Sequence, residues 1–313
     1  LLNKKIESAR KPAHKKLLKA YILDLTKLES DALSVDYSAL YYHYNLGLSN
    51  YLLGNIDISY KSMNRIYTMI CSHDYLLKSR EDLVLRAMAN RVLCAIHLND
   101  VKAVKTNLKQ LNSIVTASVF YNNYKSYLIY VLEVIYFSKT GKYDMGIMKV
   151  NNYALKKEEF VTGVSVESFI LQEDIYETFH YANCLFESGN IRKAIKLMFE
   201  FISTNKNIDK RDAYSAARFF YLILLIELND DNLIYSELRS VERFLREEAI
   251  CFEFEKILLK FIRSLMVKNT SIQIRNHYTN LSNELIKLKE NSFESNAFTY
   301  FDFLSWAKKR SDY

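Results

Sequence analysis

The sequence predicts an all-α protein, an α-solenoid of antiparallel helical hairpins, and three observations lead there. First, 313 residues contain one proline and six glycines, where ordinary usage would give roughly 16 and 22. Sandwiches, barrels and propellers need those residues at their turns, so they are excluded. So are enzymes with glycine-rich phosphate loops. Second, short breaks fall at Gly54-Asn55, Asn99-Asp100, Gly141-Lys142, Gly189-Asn190, Asn229-Asp230 and Asn269-Thr270, spaced by 45, 42, 48, 40 and 40 residues. Each offers a glycine or asparagine, the residues that accept the left-handed position ending a helix. Third, the stretches between breaks carry apolar residues at helical spacing, and a period of this size split into two helices marks a solenoid.

The elements follow in order. Pro12 suits a helix's first turn, so residues 13–29 read as one helix. Ala39 to Leu53 is almost continuously apolar or aromatic, as in a helix contacted on several sides. After Gly54, the residues Ile56, Tyr60, Met63 and Tyr67 give a one-sided stripe. Ser79-Arg80-Glu81-Asp82 has the spacing of a capping box for the helix that ends at Leu98. A loop around 161–165, with Gly163, is the expected hinge. Thr178 to Phe186 then forms an inner helix, and Ile191, Ala194, Ile195, Met198 and Ile202 form the stripe of its partner. Asp209 is placed to cap the helix running through Glu227. No breaker separates the helices expected near 231–247 and 249–267, and residues 294–310 read as a C-terminal capping helix.

Charge and cysteine usage bound the surroundings. The net charge is +7, but +5 of it lies in residues 1–30, so the body of the chain is near neutral. Binding nucleic acid over the whole surface does not fit this pattern; the basic segment 1–30 is the only candidate contact. Its lysines take the face opposite Leu17, Leu18, Tyr21, Ile22, Leu25 and Leu28, which also describes a solvated outer face. Cys71, Cys94, Cys184 and Cys251 stand far apart in apolar helical contexts and read as reduced buried thiols of a cytoplasmic protein. The longest strongly apolar run, Phe219 to Ile226, is too short for a membrane helix. The chain starts at Leu1 without a methionine, which fits an upstream segment not included here.

Tyr44-Asn45-Leu46-Gly47, with Tyr51, Gly54-Asn55-Ile56 and Ser59, resembles a tetratricopeptide repeat. Residues 177–202 look like a second copy, with Ala182 at the inner small position, Gly189 at the turn and Ala194 in the second helix. The hairpin around Asn99 is similar but looser. The spacings exceed that family's period of about 34 residues, and its terminal proline is absent. The end of the chain is similar to that of diverged bacterial helical-repeat proteins.

The resemblance implies a single right-handed superhelical array over 1–313 that binds a protein or peptide on the face lined by first helices. Carried over by position, that face comprises Tyr41, Tyr44, Asn45, Leu48, Tyr51, Arg86, Asn90, His180 and Phe186. Asn45 and Asn90 match the asparagines with which some members hold a C-terminal carboxylate, but Tyr41 and Leu128 stand where that clamp needs basic residues.

No catalytic, cofactor or metal site is expected. Cys94 and His97 have a spacing compatible with two zinc ligands, without the further two that zinc requires. Cys71 and His73 read the same way, and no zincin, P-loop, kinase or hydrolase motif occurs. The functional expectation is a non-catalytic protein- or peptide-binding scaffold. The alternative is the partner-sensing region of a transcription regulator whose DNA-binding domain lies upstream. A helical enzyme would require several of the six histidines to converge on carboxylates.

Overall fold

In a computed structural model, residues 14–29, 36–160, 173–205, 211–247, 251–295 and 297–312 are described. The expected hinge at 161–165, the Asp209 cap and Pro12 lie outside them. The described residues form helices and turns without a strand. The chain, expected as one array over 1–313, divides into two compact units, Lys16–Cys184 and Leu185–Tyr313, the latter also taking in His14 and Lys15, the first two residues of the first helix.

The first unit is built from α1 (His14–Lys27), α2 (Asp36–Leu52), α3 (Ile56–Ser72), the short α4 (Asp74–Ser79), α5 (Glu81–His97), α6 (Val101–Ser113), α7 (Val119–Lys139) and α8 (Tyr143–Phe160). Most of α9 (Glu173–Glu187) belongs to it too; the boundary between the units falls inside that helix. Helices adjacent in sequence pack together: α2 on α3, α5 on α6, α7 on α8, with α5 also against α3 and α7. The core runs along α5 and α7, through Val84, Met88, Val92, Leu128, Val131 and Ile135. A smaller cluster joins Leu40 and Tyr44 of α2 to Met63 and Ile66 of α3 and to Leu83 and Ala87 of α5.

The second unit contains α10 (Ile191–Thr204), α11 (Arg211–Leu228), α12 (Asp231–Glu247), α13 (Glu253–Leu265), α14 (Ser271–Lys289), α15 (Ser292–Ser295), α16 (Ala297–Tyr300) and α17 (Phe303–Ser311). Its centre is α11, buried without interruption from Arg211 to Leu225, whereas α12 buries only the stripe Ile234, Leu238, Val241 and Leu245.

Local chemistry ends the helices where the sequence places breaks. Gly54, Asn99, Gly141, Gly189 and Asn229 have φ of 81°, 55°, 73°, 79° and 56°. At each, the next residue's N–H returns to a carbonyl five positions back, as from Asn55 to Asn50 at 2.8 Å and from Asp100 to Ala95 at 3.0 Å. This is the hydrogen-bond pattern of a left-handed helix stop. The sixth break works differently. Asn269 takes no positive φ; its side-chain amide donates to the carbonyls of Ser264 (2.8 Å) and Val267 (2.7 Å), and Thr270 and Gln273 form a reciprocal capping box.

Two other boundaries correct the sequence expectation. Ser79 does not cap α5: it ends α4, and its hydroxyl donates back to Tyr75 O at 2.8 Å. Residues 294–310 are not one helix either. The chain leaves helical geometry at Phe301 and Asp302, because Phe301 stacks on Phe220 at 4.2 Å and the Asp302 carboxylate caps Ser305 N at 3.1 Å. Gly47 does mark a close approach. A Cβ there would lie 2.6 Å from Met63 Cε and 3.2 Å from Ser62 Cβ, so α2 and α3 pack nearly backbone to side chain.

Candidate functional site

Tyr41, Asn45 and Leu48 are spaced i, i+4, i+7 on α2, and Arg86 and Asn90 are spaced i, i+4 on α5, so each set shares a helix face. All five keep some exposure, up to 37% for Tyr41. At one end of this strip the Arg80 guanidinium sits 4.9 Å from the Tyr41 ring centroid. Arg80 Nε and Nη2 both donate to the Asp82 carboxylate at 3.2 Å, and Arg86 Nη2 reaches the same carboxylate at 3.2 Å. At the other end the Tyr51 hydroxyl meets His97 Nε2 at 3.0 Å. Asn45 donates to Tyr41 O at 2.8 Å, one turn back along its own helix.

The electrostatics leave this strip modestly cationic. Burial pushes the Asp82 carboxyl upward, but the Arg80 hydrogen bonds and charge, with Arg86 behind them, outweigh it and hold its pKa below the usual range. Burial, helped by the charge of Lys139, lowers His97 to about 3. Its imidazole is therefore neutral at pH 7 and accepts from Tyr51. Just beyond Tyr41, the Tyr75 hydroxyl donates to Asp36, and this hydrogen bond raises its pKa to about 12.

Three of the expected residues do not belong to the strip. Tyr44 is 5% exposed, its ring packed into the cluster between α2, α3 and α5. His180 is 2% exposed and bonds Ser138 Oγ through Nδ1 at 3.0 Å. Both project into helix–helix contacts, where an aromatic ring gains most by burial. Phe186 belongs to the second unit, edge-on to Phe220 at 6.3 Å and tilted against Phe301 at 6.2 Å. Arg80 and Asp82 are the participants that residue spacing missed, because Arg80 stands at a helix boundary that reads as a cap.

The cysteines divide by burial. Cys94 and Cys184 are fully buried, and burial raises both thiols to about 12, so neither has the character of a nucleophile. Cys94 donates to Ser59 Oγ at 3.3 Å, at the position where the sequence calls for a small residue. Cys71, expected to be buried, is exposed near the end of α3. Among the described residues no group of three or more His, Cys, Asp or Glu is placed to hold a metal ion. No described helix is long and apolar enough to cross a membrane. No family model, curated protein or solved structure matches the chain.

Proposed function

We propose that this protein is a non-catalytic scaffold that binds a protein or peptide along the strip shared by α2 and α5, within a tetratricopeptide-like succession of helical hairpins. The observation that carries this reading is the partial exposure of Tyr41, Asn45, Leu48, Arg86 and Asn90 on two helices that touch each other. Tyrosine offers large contact area at low entropic cost, and asparagine amides match a peptide's own N–H and C=O groups. Arginine and tyrosine are also the residues in which binding energy concentrates.

The buried Leu128, 3% exposed, leaves no basic partner at its position for a terminal carboxylate. An internal segment of a partner fits better than a chain end. Peptides selected from a random displayed library on the full chain test the proposal. Replacing Tyr41, Asn45 and Asn90 together by alanine should weaken the selected peptides by about tenfold or more. Undiminished affinity in a variant with an unchanged circular dichroism spectrum would show that this strip is not the binding face.

A further inference from the structure

Arg91 of α5 is 7% exposed and turned toward α3 and α6. Its Nε donates to Asn64 Oδ1 and its Nη1 to Gln110 Oε1 at 2.7 Å. The guanidinium carbon lies 4.3 Å from the Tyr67 ring centroid. The Tyr60 hydroxyl is within hydrogen-bonding reach and accepts from Asn107 Nδ2 at 3.2 Å. Among the described residues, every oxygen bonded to Arg91 belongs to an amide or a phenol.

The other buried arginines are treated differently. Arg211 is paired with Glu255 through both terminal nitrogens, and Arg218 meets Glu237 at 2.8 Å. A buried cation without a counter-charge is costly, and amide oxygens and a tyrosine face offset only part of that cost. The surrounding field has the same sign. The flanking helices α3 and α6 carry Lys61, Arg65, Lys102, Lys105 and Lys109, all exposed, against the single acidic residue Asp57. These positions concentrate positive charge on a body that is otherwise near neutral, and they draw anions toward the guanidinium. Asn64, Tyr60, Tyr67 and Gln110 are each only half-buried, so the groups that cover Arg91 themselves border solvent.

We propose that the niche between α3 and α6 around Arg91 binds an oxyanion, a phosphate or carboxylate group carried by a small molecule. Such a group accepts charge-assisted hydrogen bonds from the guanidinium and further ones from the tyrosine hydroxyls. The niche uses none of the residues assigned to the peptide-binding strip, so the two proposals stand or fall separately.

Calorimetric titration of the full chain with inorganic phosphate, phosphoserine and succinate, at matched ionic strength, tests the niche and distinguishes free phosphate, phosphate ester and dicarboxylate. At least one of the three should bind. Gln110→Glu supplies an internal carboxylate at nearly unchanged shape. It should raise the thermal midpoint without ligand and weaken the bound probe by about tenfold or more. Arg91→Gln should abolish binding. Lys105→Gln with Lys109→Gln should reduce affinity by only a few-fold and flatten its salt dependence. Failure of all three probes to bind the wild-type chain overturns the proposal. So does equal affinity in Gln110→Glu, a variant that leaves the fold's own contacts in place.

Discussion

Removing the charge of Glu255 should destabilise the second unit by about 3 kcal/mol, the lower end of the cost of breaking a buried ion pair. The Glu255 side chain is fully buried and that of Arg211 is 6% exposed, so water cannot take over the solvation of either group. Arg211 Nη2 approaches Glu255 Oε2 at 3.1 Å, and the same oxygen accepts the Phe252 N–H at 2.8 Å. Glu255→Gln retains an acceptor for that N–H and most of the volume. What it removes is the counter-charge of a guanidinium held 5.2 Å from the Phe244 ring centroid and 5.5 Å from that of Phe252.

With a urea m-value of about 1.5 kcal/mol per molar, 3 kcal/mol lowers the unfolding midpoint by about 2 M. The chain's single tryptophan, Trp306, belongs to this unit, so its fluorescence follows the relevant transition. It is well placed to report packing, with Nε1 donating to Glu227 at 2.8 Å and its ring edge-on to Phe261 and Tyr278. Replacing both partners, as Arg211→Met with Glu255→Gln, should recover most of the loss, because no buried charge is left unpaired and the glutamine amide still accepts the Phe252 N–H. The reasoning is refuted if Glu255→Gln costs less than about 1 kcal/mol, or if the double variant loses the sum of the two single losses.

Three further variants test the turns and the strip. Gly189 has φ 79° with nothing within 4 Å of an added Cβ, so Gly189→Ala should cost only the left-handed backbone term, about 1 kcal/mol by Trp306 fluorescence. Asn229→Gly, at φ 56°, should stay within about 0.5 kcal/mol of wild type, and an equal loss in both would discredit the turn assignment. His97 is held at about 3 in the folded chain but titrates near 6.5 when unfolded, so below pH 6.5 the unfolded chain binds a proton that the folded chain refuses. Stability present above pH 6.5 should therefore fall on acidification, by about 1 kcal/mol between pH 6.5 and 5 after allowing for the intermediate exposure of the residue. His97→Gln should remove that component of the urea midpoint's pH dependence, and an unchanged slope would assign it elsewhere.

The candidate strip was legible only in part. Position along a helix identifies which residues share a face, and Tyr41, Asn45, Leu48, Arg86 and Asn90 do share faces that remain partly open. The same spacing cannot tell which side a neighbouring helix covers, and that is why Tyr44 and His180 are buried. Arg80 and Asp82 escaped notice for a different reason. Their role depends on a short extra helix, α4, that brings Arg80 over the Tyr41 ring.

By itself the sequence determined the helical class and five of the six hairpin stops. Both follow from interactions a few residues long: the scarcity of proline and glycine, and the tolerance of glycine and asparagine for positive φ. Tertiary structure alone decided which charges were buried and with what. Arg211 meets Glu255 across 44 positions of sequence, and Arg91 meets amides and a tyrosine ring from two other helices. Nothing local distinguishes these two arginines, because desolvation is set by how many helices close over a side chain, a property of packing that residue order does not encode nearby.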